Sequence, residues 1–221
     1  MASRQHSTES MRPAPRLYLV IPPVENPAVF VQAVADAFDA DGDVAAVLVR
    51  LPEAENASLI KGIKTLAAHV QGSDAALLLD GHLDLVAPTG ADGVHATETD
   101  ALSTALAQIK PLGIVGAGEL ASRDDAMRAG ELGADYVMFG EPDGAGERPS
   151  LQAIVDRVAW WAELFVVPCV AYAASVDEVG PLVAAGADFI AVEAIVFSDP
   201  RGVRTAVRDL MGHLRLPETT P

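Results

Sequence analysis

The sequence contains a single cysteine and no apolar run of the roughly 18–20 residues that a transmembrane helix needs. One cysteine cannot form a disulfide framework within the chain, which excludes the small disulfide-stapled class of proteins. Residues 1–15 are polar and lack the apolar segment of a signal peptide, so we expect them to form a disordered arm. These features together predict a cytoplasmic protein that does not associate with a membrane.

Positive charge is also scarce, because 15 Lys and Arg residues stand against 31 Asp and Glu residues, for a net charge of −16. Without a basic face to displace counterions, the chain is not expected to bind nucleic acid. An anionic small ligand needs local backbone N–H groups, an arginine or a metal to offset this field. The lysines Lys61, Lys64 and Lys110 all fall in helical segments, so no Schiff-base nucleophile is expected at a strand end.

Half of the residues are hydrophobic, and short β-branched or apolar runs alternate with amphipathic helical stretches. This alternation is typical of parallel strands joined by crossover helices. Eight such units favour a closed (β/α)8 TIM barrel over a doubly wound sheet. We predict one α/β barrel domain over residues 16–216 and a loose tail at 217–221, with strands at 16–22, 44–51, 75–80, 93–96, 112–117, 136–140, 168–172 and 189–196.

The tripeptide Gly-Ala-Asp occurs at residues 90–92, 133–135 and 186–188, each time between a predicted helix and a predicted strand. A glycine at the end of a helix adopts the left-handed conformation without a steric cost at Cβ. We therefore interpret the three copies as one short connection used repeatedly on the amino-terminal face of the barrel. This role is structural and carries no chemistry.

Function in this fold lies at the carboxyl-terminal ends of the strands and in the loops after them. Asp80, His95, Glu98 and Asp100 follow two neighbouring predicted strands, so we expect their side chains to converge. Converging carboxylates suit Mg²⁺, with Asp80 and Asp100 as the predicted ligands. The alternative is that Asp80 caps its loop and that Asp100 lies in the first turn of a helix, where the dipole favours it. His95 is a candidate ligand or acid–base group, with a buried structural histidine as the alternative.

Arg50 is the only cation predicted at a strand end, and an arginine there can bind phosphate or carboxylate through two hydrogen bonds. Its alternative role is a salt bridge to a neighbouring carboxylate. Phosphate sites of such barrels use backbone N–H groups after strands seven and eight. Ala174 and Ser175 stand after strand seven, where Ser175 is equally suited to be a plain helix N-cap. Glu193 stands after strand eight, where it would repel phosphate.

Five segments carry a resemblance to a known family: LYLV at 17–20, ADGVH at 91–95 with Asp100 five residues after the histidine, GADYVMFG at 133–140, VPCVA at 167–171 and GADFIAVEAI at 186–195. In this order and spacing they resemble the thiamine-phosphate synthase family, including its thiazole tautomerase relatives, over about residues 16–212. The resemblance implies a barrel that joins a hydroxymethylpyrimidine diphosphate to a thiazole phosphate with the help of Mg²⁺. For the tautomerase relatives it implies isomerisation of a small phosphorylated ligand.

The sequence departs from the family pattern where diphosphate is handled. The strand-two motif Gln-Leu-Arg-x-Lys reads RLPEA at 50–54, and the loop after strand six, at 141–149, has no lysine. The Asn-Asp pair of strand three reads Asp80-Gly81, and the Gly-Gly pair after strand seven reads Ala173-Ala174.

By resemblance, Asp80 and Asp100 would hold Mg²⁺, Arg50 would contact the diphosphate, and the remaining phosphate or substrate positions would be Gly118, Ala174, Ser175 and Glu193.

Three hypotheses stay open at this point. The chain retains the coupling reaction; or it isomerises a small ligand with His95 or Glu98 as the acid–base group; or it is a non-catalytic binding or interaction protein on the same barrel. The expected partner is a small phosphorylated or heteroaromatic molecule.

Trp160 and Trp161 are adjacent in a predicted helix and cannot both face the barrel. One of them is therefore either a partly covered surface residue or part of a homo-oligomer interface.

Overall fold

The structure is a computed structural model that describes residues 13–40, 42–52 and 57–214. Residues 1–12 of the predicted arm and the predicted tail at 217–221 lie outside the described residues.

Parallel strands close into a barrel, in which each strand pairs with the next one along the chain and the last pairs with the first. The TIM barrel predicted from the sequence is therefore confirmed. Within the described residues the strands are β1 (Arg16–Ile21), β2 (Val44–Val49), β3 (Ala76–Asp80), β4 (Gly93–Ala96), β5 (Ile114–Ala117), β6 (Tyr136–Phe139), β7 (Cys169–Tyr172) and β8 (Phe189–Val192).

Helices alternate with these strands and cover the outside of the barrel. After a short 3₁₀ helix at Pro27–Phe30, they are α1 (Val31–Phe38), α2 (Ala57–Gln71), α3 (Leu83–Thr89), α4 (Thr99–Ile109), α5 (Arg123–Leu132), α6 (Leu151–Leu164), α7 (Val176–Ala184), α8 (Ala194–Phe197) and α9 (Val203–Leu214). In the part of the chain that the structure describes, none of them combines the length and apolar content that crossing a membrane would require.

Seven of the eight predicted strands have limits that differ from those in the structure, and two of these differences have a clear local cause. The strand predicted at 189–196 ends at Val192, because Glu193 leaves the extended conformation (φ −123°, ψ −88°) and the chain enters α8. The strand predicted from residue 112 begins at Ile114, since the backbone N–H groups of Leu112 and Gly113 still donate to the Ile109 carbonyl at the end of α4.

The Gly-Ala-Asp connection is the same in all three places. Its glycines have positive φ angles of 77°, 100° and 94° at Gly90, Gly133 and Gly186, which explains why glycine is used there. Each aspartate carboxylate accepts a hydrogen bond from a backbone N–H at the start of the preceding strand: Asp92 from Leu77 at 2.7 Å, Asp135 from Val115 at 2.7 Å and Asp188 from Cys169 at 2.8 Å. The repeat thus links neighbouring strands on the amino-terminal face.

The apolar core has two layers, because side chains of a strand alternate between its two sides. Along β1, Leu17, Leu19 and Ile21 pack between barrel and helices, while Tyr18 and Val20 fill the interior. The interior layer also contains Ala46, Leu48, Leu78, Tyr136, Met138, Val170, Tyr172 and Ala191. This alternation decides which polar residues at the strand ends point into the opening of the barrel at the carboxyl-terminal ends of its strands. We call this opening the mouth.

The two adjacent tryptophans differ in exposure, as the helical period requires. Trp161 is fully buried, whereas Trp160 is partly buried with the Arg123 guanidinium 4.7 Å from its ring centre. The homo-oligomer hypothesis stays a prediction.

Candidate functional site

Arg50 lies at the centre of the barrel mouth, among three carboxylates from other strands. It stands two residues after the interior residue Leu48, as the alternation of β2 requires. Its Nη1 donates to Glu193 at 2.9 Å, its Nε lies 3.5 Å from Asp80, and its Nη2 lies 3.8 Å from Glu141. Its guanidinium is therefore paired with carboxylates of the chain itself, the alternative role that its position predicted.

His95 and Glu141 form a buried pair beside this guanidinium. His95 extends inward from β4 with no exposed surface, and its Nε2 lies 3.2 Å from both carboxylate oxygens of Glu141. Glu141 also accepts the Glu119 backbone N–H at 2.7 Å. A carboxylate and an imidazole at this separation can exchange a proton, which is what acid–base catalysis requires.

Gly118 provides the space for this pair. A Cβ atom at this position would lie 2.0 Å from Glu141 Oε1 and 2.1 Å from His95 Nε2, far inside van der Waals contact. Any larger residue would force the pair apart. The structure thus places Gly118 against the pair, where it makes room for the two side chains; its assignment to substrate binding stays a prediction.

Two tyrosine hydroxyls continue the hydrogen-bond chain into the barrel. His95 Nδ1 lies 2.9 Å from the Tyr136 hydroxyl, which lies 2.7 Å from the Tyr18 hydroxyl. Because hydroxyl groups rotate, Tyr136 can donate to a neutral imidazole or accept from an imidazolium. The chain can therefore satisfy either protonation state of His95 without moving a heavy atom.

The charges of the pair shift the pKa values of both members. Burial disfavours the imidazolium, but the Glu141 carboxylate outweighs this and raises the pKa of His95 above its usual value. Burial likewise opposes the Glu141 charge, yet His95 and the other donors hold the pKa of this carboxyl below its usual value. Both shifts favour the ion pair, in which His95 is protonated and Glu141 is charged.

Two carboxyl groups near the pair have raised pKa values, the opposite of the shift at Glu141. Burial raises the pKa of Asp80, and burial together with the charge of Glu141 raises the pKa of Glu119. Glu119 also has a left-handed backbone (φ 49°), which is strained for a residue with a Cβ atom. Its N–H contact with Glu141 helps to hold this conformation in place.

A cavity of about 450 Å³ opens at the mouth next to the pair. Its lining includes the buried residues Glu141 and Met138 and the polar residues Glu119, Asp143, Glu147, Arg148 and Arg157. A larger cavity, of about 690 Å³, opens on the amino-terminal face; of its two lining carboxylates, Asp74 and Asp92, the second is already engaged by the Leu77 N–H. The mouth cavity is where titratable groups converge, so we take it as the candidate ligand site.

The residues predicted to hold Mg²⁺ do not form a protein-built metal centre. Asp80 is paired with Arg50, whereas Glu98 and Asp100 are exposed at the start of α4. Among the described residues, no group of three or more His, Cys, Asp or Glu side chains is arranged to hold a metal ion. Asp80, Glu98 and Asp100 therefore do not form a metal site by themselves.

At the predicted phosphate position after β7, the hydrogen bonds are made by Glu178 and Arg148 and not by the Ser175 hydroxyl. Ser175 is the N-cap of α7, but its hydroxyl makes no capping hydrogen bond within the described part of the chain. The Ala174 N–H donates instead to Glu178 at 2.9 Å, and Arg148 donates to both oxygens of Glu178 at 2.9 Å each.

Sequence reasoning identified Arg50, Asp80, His95 and Glu193, which the structure brings to the mouth, but missed three polar groups beside them. Tyr136 stands at an interior position of β6, so strand alternation could have located it. No such signal exists for Glu141, because Gly140 has a positive φ of 86° and ends the alternation of β6. Glu178 lies in the first turn of a helix, where an acidic residue usually needs no partner.

Comparisons with known proteins agree on one family. The family described as thiamine monophosphate synthase matches residues 17–195. A thiamine-phosphate synthase of Rhodospirillum centenum is 42% identical over 198 residues, covering 88% of this chain and 95% of that protein. One of Hyphomonas neptunium is 35% identical, covering 91% and 94%. A solved thiamine phosphate pyrophosphorylase of Pyrococcus furiosus superposes with a TM-score of 0.74 at 25% identity, covering 90% of this chain and 95% of that one.

Proposed function

The chain belongs to the thiamine monophosphate synthase family, and we propose that it transfers protons on a small heteroaromatic molecule bound at the mouth of its barrel. One observation carries this proposal. Glu141 lines the mouth cavity, its side chain is only 3% exposed, and the buried His95 imidazole lies 3.2 Å from its carboxylate. In this geometry Glu141 can act as an acid–base group whose proton is supplied or accepted by His95.

The reaction follows from the proton that the pair shares. Glu141 receives the proton of His95 Nε2 and passes it to one atom of the ligand, while His95 is left neutral, with its Nδ1–H donating to the Tyr136 hydroxyl. The pair then takes a proton back from another ligand atom and becomes an ion pair again. The ligand gains one proton and loses one, so the net change is an isomerisation.

The test uses exchange with solvent. A thiazole carrying a methyl and a hydroxyethyl group is incubated with the protein in D₂O, and loss of its ring C–H signal is followed by NMR. We expect exchange above the rate without protein, and a drop of about 100-fold or more in Glu141→Gln, since general acid–base groups contribute that much. Glu131→Gln, an exposed carboxylate change on α5, is the matched control. Exchange at the protein-free rate in the wild type would sink the proposal.

A second candidate is the coupling reaction itself, and the specific observation in its favour is the relationship to named thiamine-phosphate synthases over 94–95% of their length. Its requirements differ from those of proton transfer, because departure of a diphosphate needs cationic groups that face the ligand. Arg50 is already paired with three carboxylates, which disfavours this role.

The coupling reaction has a direct test. Hydroxymethylpyrimidine diphosphate, thiazole phosphate and Mg²⁺ are incubated with the protein, and thiamine phosphate is detected after oxidation to its fluorescent form. Product above the protein-free control that is lost in Asp100→Ala would support coupling over proton transfer. Absence of product at high protein concentration would remove this candidate.

A further inference from the structure

Another cavity, of about 260 Å³, lies inside the amino-terminal end of the barrel. Four of the residues that line it are the first residues of their strands: Arg16, Ala76, Ile114 and Phe189. Its lining is mainly apolar. Since an apolar cavity of roughly 150 Å³ already admits benzene, this one has room for a six-membered ring with a substituent.

Two neighbouring alanines leave this space open. Ala46 pairs with Tyr18 on one side and with Ala76 on the other, and both alanines pack in the interior layer of the barrel. Branched residues such as Val, Ile and Leu dominate the interior positions of such barrels. Two methyl side chains side by side fill less of the interior, and this accounts for the cavity.

The charged residues that line the cavity already have partners. Arg16 Nε donates to Asp43 at 2.6 Å. Asp135 accepts the Val115 N–H at 2.7 Å and is paired with Lys110. Because these charges are offset within the chain, a charged ligand would enter a mainly apolar cavity without a counter-charge, which is costly. The cavity therefore favours an uncharged ligand.

One hydrogen-bond donor at the cavity has no acceptor in the part of the chain that the structure describes. His95 Nδ1–H donates to the Tyr136 hydroxyl, whether the ring is an imidazolium or has given its Nε2 proton to Glu141. Tyr136 then donates to Tyr18, and no described residue accepts the remaining hydrogen of the Tyr18 hydroxyl. Tyr18 is only 2% exposed, and a buried donor without an acceptor is unfavourable.

We propose that this cavity binds one small uncharged molecule, with an apolar ring and a single hydrogen-bond acceptor that takes the Tyr18 O–H. Tyr18 and Tyr136 both line the cavity, and their rings meet edge to face with centres 5.7 Å apart, so they offer aromatic surface to the ring of the ligand. A buried water needs about two to four polar partners, whereas this lining is mainly apolar. The site is separate from the mouth cavity and does not depend on the proposed proton transfer.

The test compares two probes of the same shape that differ in one acceptor atom, cyclohexanone and methylenecyclohexane. The protein, labelled with ¹³C in its methyl groups, is titrated with each probe, and the signals of the lining residues Leu78, Ile114 and Val170 are followed by NMR. We expect both probes to bind saturably. In Tyr18→Phe we expect the affinity for cyclohexanone to fall about two- to tenfold, the effect of one neutral hydrogen bond, without a fall for methylenecyclohexane.

Two further variants locate the binding. Ala76→Leu fills the cavity and should abolish binding of both probes. Ala68→Leu makes the same change on the exposed side of α2 and should bind both probes as the wild type does. Saturable binding of neither probe to the wild type, or unchanged binding in Ala76→Leu, would overturn the proposal.

The hydrogen bond also has a readout that needs no variant, in case Tyr18→Phe does not fold. The carbonyl ¹³C signal of labelled cyclohexanone bound to the wild type should lie closer to its position in an alcohol than to its position in an alkane. A carbonyl signal at the alkane position, or equal losses of affinity for the two probes in Tyr18→Phe, would show that Tyr18 donates no hydrogen bond to the ligand and would likewise overturn the proposal.

Discussion

The two faces of the barrel use carboxylates differently. On the amino-terminal face, Asp92, Asp135 and Asp188 each bind one backbone N–H of a neighbouring strand, and the contact is repeated along the chain. On the carboxyl-terminal face, Asp80, Glu141 and Glu193 all contact the guanidinium of the same residue, Arg50. Independent local contacts stabilise one face, whereas a connected network of buried and partly buried charges forms the other, so substitutions on the two faces should have different consequences.

The largest effect is expected from breaking the network at Glu141. Replacement by alanine would leave the buried His95 and Arg50 short of a counter-charge, and removal of one partner of a buried ion pair costs about 3–5 kcal/mol. We expect the free energy of unfolding, measured by urea denaturation, to fall by about that amount.

Glu147→Ala, in the same loop but exposed, is the control and should change stability by less than about 0.5 kcal/mol. Combining Glu141→Ala with His95→Leu should cost less than the sum of the two single changes, because the pair is coupled. A loss below about 1 kcal/mol in Glu141→Ala would contradict the view of the mouth as one network.

A smaller effect is expected on the opposite face. Asp92→Ala removes the acceptor of the Leu77 N–H, and a hydrogen bond to a charged group contributes about 1.5–3 kcal/mol when buried and less at a partly exposed site. We expect the free energy of unfolding, measured by urea denaturation, to fall by about 1 kcal/mol. Asp92→Asn should lose less than this, because the amide oxygen can still accept the hydrogen bond. If solvent exchange at the mouth changed in Asp92→Ala, the two faces would not be independent.

The same contrast explains what the sequence could predict. The barrel and the Gly-Ala-Asp connections follow from short-range patterns, namely the alternation of strands and helices and a glycine at each helix end. Arg50, Asp80 and Glu193 follow from strand alternation once the barrel is assumed. Their partners could not be predicted, because contacts such as that of Arg50 with Glu193 depend on closure of the barrel between residues far apart in the chain.

The two faces should also differ in how their contribution to the free energy of unfolding depends on pH. The pKa of His95 is raised in the folded state, so its stabilising contribution is complete below the unfolded value near 6.5 and is lost as pH rises through the folded value. We expect the free energy of unfolding to decrease with rising pH in this window.

His95→Gln should have a smaller slope above pH 6.5, whereas Asp92→Ala should keep the wild-type slope. The pKa of Glu141 is lowered, so its contribution is lost only as pH falls below the usual range of a carboxyl group. A wild-type slope that survives in His95→Gln would assign the dependence to another group.

The smallest effect is expected at Ser175, and it distinguishes two helix starts on the carboxyl-terminal face. Ser122 accepts the Asp125 N–H at 3.1 Å and its own N–H donates to Asp125 at 2.8 Å, a complete capping box at the start of α5. Ser122→Ala should therefore cost about 1 kcal/mol in the free energy of unfolding. Ser175→Ala should cost at most a few tenths, since its hydroxyl makes no capping bond within the described residues and Glu178 takes the Ala174 N–H instead. Equal losses in the two variants would mean that the Ser175 hydroxyl, and not the Glu178 carboxylate, stabilises the start of α7.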